Sequence, residues 1–275
     1  MGIIVRLNNH KKLKLTTIMK TQHSFKTILT VLVACIFTGL ISAPAAYAQV
    51  EEGSMILSVT EFTVKPGHNT QFREGVKAWK ACYLEHEGEW TWNTWSRVQG
   101  EGTVYALSSF MENWAEMDDT SDAAGQACQN LAVNLINPNI EKSTRNLFRT
   151  IPSMSRTTWA AMDVINVTYW RVKNTPLFRE TLSEVVSTVS SIEGEPRAWW
   201  YSGIGGDLNA PHFFVVTPFE NFAAMDVRRD GVMTVVENQY GAEKRAELQH
   251  NYRESVDQSW SYMFRRVADL SHTGE

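Results

Sequence analysis

Cysteine, long apolar runs and positive charge are all scarce in this chain, and each scarcity excludes something. Three cysteines, Cys35, Cys82 and Cys128, are spread over 275 residues. Their spacing matches no zinc or dithiol-redox motif, so no metal is expected to organise the fold. The longest apolar stretch, Ile28 to Ala43, holds 16 residues. A helix needs roughly 20 to cross a bilayer, so no membrane span is expected. An ordered Ser, His and Asp set is missing, as is a nucleophile elbow. Gly203-Ile204-Gly205-Gly206 lies between two strand-like segments and reads as a hairpin turn, whereas a dinucleotide-binding glycine run must open a helix. Asn166-Val167-Thr168 matches a glycosylation sequon but falls inside a strand-like run, which discounts it.

The chain opens on an export signal. Lys11, Lys12, Lys14, Lys20 and Lys26 precede the apolar stretch, and Ala46-Tyr47-Ala48 follows it. A basic region, a short apolar run and a small-x-small site make residues 1–48 a secretory signal peptide, cut before Gln49. Met19 reads as the better natural start, because residues 1–18 add nothing that such a signal needs. Leu32-Val33-Ala34-Cys35 resembles a lipobox, so a lipoprotein anchored through Cys35 is the alternative to a soluble periplasmic or secreted protein. The apolar residues after Cys35 favour the soluble form. The leader holds six basic residues and no acidic one, and without it 20 Lys+Arg face 30 Asp+Glu, a net charge of −10. So acidic a domain repels phosphate backbones, and neither nucleic acid nor an anionic lipid surface is expected as a partner. In an oxidising compartment Cys82 and Cys128 could pair. Two buried free thiols are the other reading.

The rest of the chain repeats itself. Val59-Thr60-Glu61-Phe62-Thr63-Val64-Lys65 parallels Val167-Thr168-Tyr169-Trp170-Arg171-Val172-Lys173, an offset of 108. Phe72-Arg73-Glu74 parallels Phe178-Arg179-Glu180 at 106, and Glu112-Asn113-Trp114 parallels Glu220-Asn221-Phe222 at 108 again. Met154 and Arg156 extend the match weakly to Met263 and Arg265, at 109. So steady an offset implies a duplication, with one unit over 49–160 and a second over 161–275. Periodicity gives each unit the order strand, helix, strand, strand, helix, strand. In the first, a strand over 55–65 ends at Pro66-Gly67. An amphipathic helix over 69–86 follows, with Phe72, Val76, Trp79 and Tyr83 on one face. Strands over 89–98 and 103–109 turn at Gly100-Glu101-Gly102. A second helix starts near Glu112, its continuation is interrupted at Asn137-Pro138, and a last strand covers 153–159. The second unit places strands at 165–173, 196–204, 211–217 and 259–267, with helices over 175–191 and up to about residue 257. The fold class is α+β: two ferredoxin-like βαββαβ sheets whose free apolar faces are buried against each other. A monomer acting as a pseudo-dimer, or a homodimer, would satisfy this.

Glu61-Phe62-Thr63-Val64-Lys65-Pro66-Gly67 resembles the first strand and turn of dimeric α+β barrel proteins, and most nearly the antibiotic-biosynthesis monooxygenase-like group. Phe110-Met111-Glu112-Asn113-Trp114 resembles that group's exit from the third strand into a helix. The resemblance runs once through each copy and implies an intrachain dimeric α+β barrel. It implies a range of activities: oxygenases without an organic cofactor, haem-handling enzymes, polyketide cyclases and plain binding modules. Fold alone does not choose among them. Oxygenases of the group often carry a histidine in or after the second helix, yet 115–124 and 223–234 contain none. Among His68, His86, His212, His250 and His272, only His212 sits where a strand could aim it into a barrel.

Trp92, Trp95, Trp199 and Trp200 lie on the second strands of the two copies and are candidates for an aromatic ligand pocket. Trp79, Trp114 and Trp170 read as core. Glu61 occupies a strand interior, where a carboxylate needs a partner, and Arg97 is the candidate. That pair could hold a polar ligand group or take a proton; a structural ion pair is the plain alternative. His212 could act as a general base near neutral pH, or be an exposed strand-end histidine. Tyr201 could donate a hydrogen bond to a ligand, and His86 reads as a cap at the first helix's end. The expectation is an exported, cofactor-independent, monooxygenase-like enzyme acting on a small hydrophobic or aromatic molecule. His212 and Glu61 would be catalytic; Arg97, Trp92, Trp95, Trp199, Trp200 and Tyr201 would bind substrate. No metal or organic cofactor is expected. A non-catalytic periplasmic binding protein is the alternative, with haem binding through His212 a further one.

Overall fold

β-branched and aromatic residues alternate with polar ones along most strands of this chain, and that period-two pattern bends into a barrel. The computed structural model describes residues 50–118, 122–158 and 162–274. The expected signal peptide and Cys35 lie outside them. Eight antiparallel strands form the barrel: β1 Ile56–Val64, β2 Asn93–Arg97, β3 Thr103–Met111, β4 Ile140–Thr150, β5 Val164–Val172, β6 Trp199–Gly205, β7 Phe213–Phe219 and β8 Val256–Arg266. Their order around it is β1-β3-β2-β8-β5-β7-β6-β4, with β4 returning to β1. The same run of neighbours thus occurs twice, as β4-β1-β3-β2 and as β8-β5-β7-β6. The runs meet at two seams. Across β2–β8, Trp95 pairs with Arg266 and Arg97 with Phe264; across β4–β6, Thr150 pairs with Tyr201. Every strand thus has a neighbour on both sides, although at the seams β4 is paired only over Leu147–Thr150 and β8 only over Phe264–Arg266.

Helices cover the outside: α1 Asn69–Glu85, α2 Ala123–Ala127, α3 Thr175–Glu193, α4 Val232–Tyr240 and α5 Ala242–Ser255. The ends of α3 show why it forms there. The Asn174 side chain accepts a hydrogen bond from the Leu177 amide, Pro176 occupies the first turn, and Gly194 ends the helix at φ 93°. Each device satisfies or removes an otherwise orphaned terminal group. Among the described residues, no helix is long and apolar enough to cross a membrane.

Strand alternation divides the apolar residues between two cores. Leu57, Trp95, Phe148, Ile165 and Phe264 point into the barrel. Trp170, Trp200, Phe213 and Phe178 pack between the barrel and α3.

Three expectations need correction. The first unit's last strand is Ile140–Thr150, not 153–159; Pro152–Met154 is a short 3-10 turn. Phe148 matches Phe264, an offset of 116, so the likeness of Met154 and Arg156 to Met263 and Arg265 is fortuitous. β4 is faint in the sequence because Lys142, Thr144 and Asn146 leave Phe148 as the one apolar residue of its inward run. β2 is only five residues long, not ten. Finally, no long helix starts at Glu112. A 3-10 turn, Trp114–Met117, stands there on an Asn113–Glu116 capping box, and Trp114 is 45% exposed rather than core.

Candidate functional site

The barrel encloses a cavity of about 720 Å³, within the range of small-molecule sites. Its two long walls differ in chemistry. On one side β4 presents Lys142, Thr144 and Asn146, and β1 adds Glu61. Glu61 lies directly across the ladder from Thr144. On the other side β8 presents Trp260 and Tyr262, and β5 adds Tyr169. Tyr169 and Trp260 are stacked, with ring centroids 5.5 Å apart and planes 12° from parallel. Tyr201 stacks on Phe214 at 4.5 Å, and Phe148 meets Phe214 edge-on at 4.7 Å. Leu57, Phe110, Ile165 and Phe264 complete an apolar part.

Electrostatics single out Glu61. Burial pushes its pKa above the ordinary carboxylate value, and the Arg97 and Lys142 charges offset part of that rise. Desolvation therefore dominates over charge pairing. Tyr169 is held well above its ordinary pKa, first by burial and then by the Glu61 charge. Burial likewise raises Tyr201. Both phenols are neutral hydroxyl donors at physiological pH.

The residues singled out from sequence separate into two groups. Glu61, Trp95, Trp199 and Tyr201 all line the cavity. The Trp95 indole N–H donates to the Ser108 hydroxyl at 3.0 Å. Trp199 has the Arg156 guanidinium 5.7 Å from its ring centroid. Arg97 acts on Glu61 through its charge. No ion pair of 4.0 Å or less joins them among the described residues; the guanidinium lies 4.7 Å from the Tyr262 ring centroid and donates to the Glu101 carbonyl. Trp92 and Trp200 do not line the cavity. Trp200 must face opposite to its neighbour Trp199, and Trp92 opposite to Asn93. The Trp92 indole N–H donates to the Leu270 carbonyl at 2.8 Å on the helix side. His212 is not brought to the cavity either. It is exposed, and its Nδ1 accepts the Val172 amide at 3.1 Å. His212 is thus not among the lining residues, although its neighbours Ala210 and Pro211 are. His86 stands at the C-terminal end of α1.

Sequence reasoning missed Lys142, Thr144, Asn146, Trp260 and Tyr262 as wall residues. The alternation of Trp260 and Tyr262 along β8 was the available signal. Cys82 and Cys128 are joined in a disulfide with Cα atoms 6.0 Å apart, tying α1 to the end of α2. His86 lies beside it: among the described residues, Cys82, His86 and Cys128 form the one group with metal-ligand spacing, their atoms within 4.8 Å. The disulfide occupies both sulfurs.

No family model matches the chain, and no curated protein matches it in sequence. Solved structures do resemble it in shape. A Lactobacillus acidophilus protein, provisionally assigned as a monooxygenase, aligns over 78% of this chain and 94% of its own, with 14% identity and a TM-score of 0.49. An anthrone oxidase-like protein aligns over 79% and 92%, with 13% identity and a TM-score of 0.48. A haem-binding protein from Thermus thermophilus aligns over 80% and 93%, with 8% identity and a TM-score of 0.44. At such identities and scores, no chemistry passes from those proteins to this one.

Proposed function

We propose that the barrel interior is the site of a small-molecule enzyme that oxygenates a hydrophobic or aromatic compound without an organic cofactor. In this reading residues 49–160 and 161–275 are tandem ferredoxin-like units enclosing one site, and the protein acts outside the cytoplasm, which suits a disulfide. The observation that carries the proposal is Glu61. Burial raises its proton affinity in a cavity with one polar and one aromatic wall. Such a carboxylate is a stronger base than an exposed one, and a ring-activated CH₂ group can lie against it.

Glu61 takes one proton from that CH₂. The delocalised carbanion passes one electron to O₂, and the radical pair combines into a peroxide. The peroxide recovers a proton and loses water. One CH₂ and one O₂ give one C=O and one H₂O, with the substrate supplying the electrons. Tyr169 and Tyr201 donate hydrogen bonds to the charge that develops on a ring oxygen.

Anthrone carries a CH₂ of this kind and serves as the probe. Wild-type protein is expected to consume O₂ mole for mole with anthraquinone formed. Glu61→Gln is expected to slow turnover by about 10²–10⁴-fold while anthrone still quenches tryptophan fluorescence. Turnover at the wild-type rate in Glu61→Gln would defeat the assignment. The same raised pKa also favours a second reading, in which Glu61 stays protonated and donates a hydrogen bond in a non-catalytic binding protein. Fluorescence quenching without O₂ uptake at any pH would select that reading.

A further inference from the structure

A second cavity, of about 690 Å³, lies outside the barrel between β5–β7 and the helices α3, α4 and α5. Its origin can be traced in the sequence. α1 and α3 match through Phe72 and Phe178, an offset of 106. β2 and β6 match at the same offset. The Thr94 amide donates to the Ser271 hydroxyl at 2.9 Å, and the Trp200 amide donates to the Ser155 hydroxyl at 2.8 Å.

At this offset, Trp79, Tyr83, Trp90 and Trp92 of the first half correspond to Val185, Val189, Pro196 and Ala198 of the second. In the first half the four rings fill the layer between helix and sheet. Their centroids lie 5.0 Å apart for Trp79–Tyr83, 5.5 Å for Trp79–Trp92 and 4.9 Å for Trp90–Trp92. In the second half the small side chains leave that space open. Its floor is the stacked pair Trp170 and Trp200, 5.4 Å apart. The floor's polar edge is already satisfied, because the Trp170 indole N–H donates to the Tyr252 hydroxyl at 2.8 Å.

Charge gathers beside this apolar space. Arg197, Arg229 and Arg253 all line it. Arg197 pairs with Glu193 and donates to the Asp230 carbonyl. Arg229 and Arg253 form no ion pair of 4.0 Å or less among the described residues. The Arg229 pKa is lowered by burial and by the charges of Arg197 and Arg156, with Glu193 only partly compensating. Arg156 is itself paired with Glu195. Both guanidiniums are exposed to solvent at the cavity, and a guanidinium is well matched to a carboxylate fork.

We infer that the second cavity binds an amphipathic carboxylate, its apolar body on Trp170 and Trp200 and its head on Arg229 and Arg253. The site lies outside the barrel, and in the matching layer of the first half the rings of Trp79, Tyr83, Trp90 and Trp92 stand in its place. Dodecanoate, kept monomeric, is the probe, with dodecanol as the neutral control, and binding is read by titration calorimetry. Wild-type protein is expected to bind dodecanoate at one site and at least ten-fold more tightly than dodecanol. The double variant Arg229→Gln/Arg253→Gln, altered only at exposed side chains, should lose that ten-fold preference. Ala198→Trp, which restores the first half's residue, should abolish binding. Dodecanoate bound equally by the wild type and the arginine double variant, or not bound by the wild type, would overturn the inference even if Ala198→Trp failed to fold.

Discussion

Glu61 prefers its proton because burial disfavours the charged form. Its folded-state pKa lies above the unfolded value, so between the two the folded state binds more protons and stability falls as pH rises. The cost is absent below the unfolded pKa and complete above the folded one. Glu61→Gln should therefore raise Tm at about pH 8 and leave it unchanged at about pH 3, where both states carry the proton. Thermal melts at the two pH values test this, and an equal change at both would contradict it. Glu61, Trp95, Trp199 and Tyr201 were legible in the sequence because strand alternation decides which way each points. His212 was not legible. It makes a hydrogen bond to the Val172 amide and lies outside the cavity lining, and no spacing encodes that. Trp200 lies outside the barrel cavity because two adjacent residues on one strand cannot share a face.

At the scale of elements, the disulfide and one glycine hold the first half's helices in place. Cys82 and Cys128 are 46 residues apart. Closing a loop of that length in the unfolded chain is worth about 4 kcal/mol in the chain-entropy model, so Cys82→Ser with Cys128→Ser should lower the urea midpoint accordingly. At Gly75, on α1, a Cβ would lie 2.5 Å from the Leu135 carbonyl oxygen. Gly75→Ala should destabilise by about 1–3 kcal/mol through overpacking, a loss readable in the same urea titration. β1, α1, β5 and α3 were read from sequence nearly as they stand, because each carries a full period of apolar residues. The strand expected over 153–159 does not overlap β4, Ile140–Thr150, because three of the four residues from Lys142 to Phe148 that face inward are polar, and those polar residues then dropped out of the candidate site. An element whose function calls for hydrophilic residues inside hides from a search for hydrophobic ones.

At the scale of the molecule, each half of the barrel completes the other. The first half alone would expose the edges of β2 and β4, and the second those of β6 and β8. Expressed separately, residues 49–160 and 161–275 are expected to aggregate, and mixed during refolding to recover one complex. Size-exclusion chromatography distinguishes these outcomes; two soluble monomers that ignore each other would refute the expectation. Joining the halves in one chain has a further effect on the cavity walls. Two identical subunits would repeat every wall residue about a two-fold axis, and a ligand could enter in either of two equivalent poses. Here Lys142, Thr144 and Asn146 stand on β4, while the matching places on β8 hold Gln258, Trp260 and Tyr262. A guest with one hydrophilic rim then has a single favoured pose, and any reagent approaching from one side meets only one of its two prochiral faces.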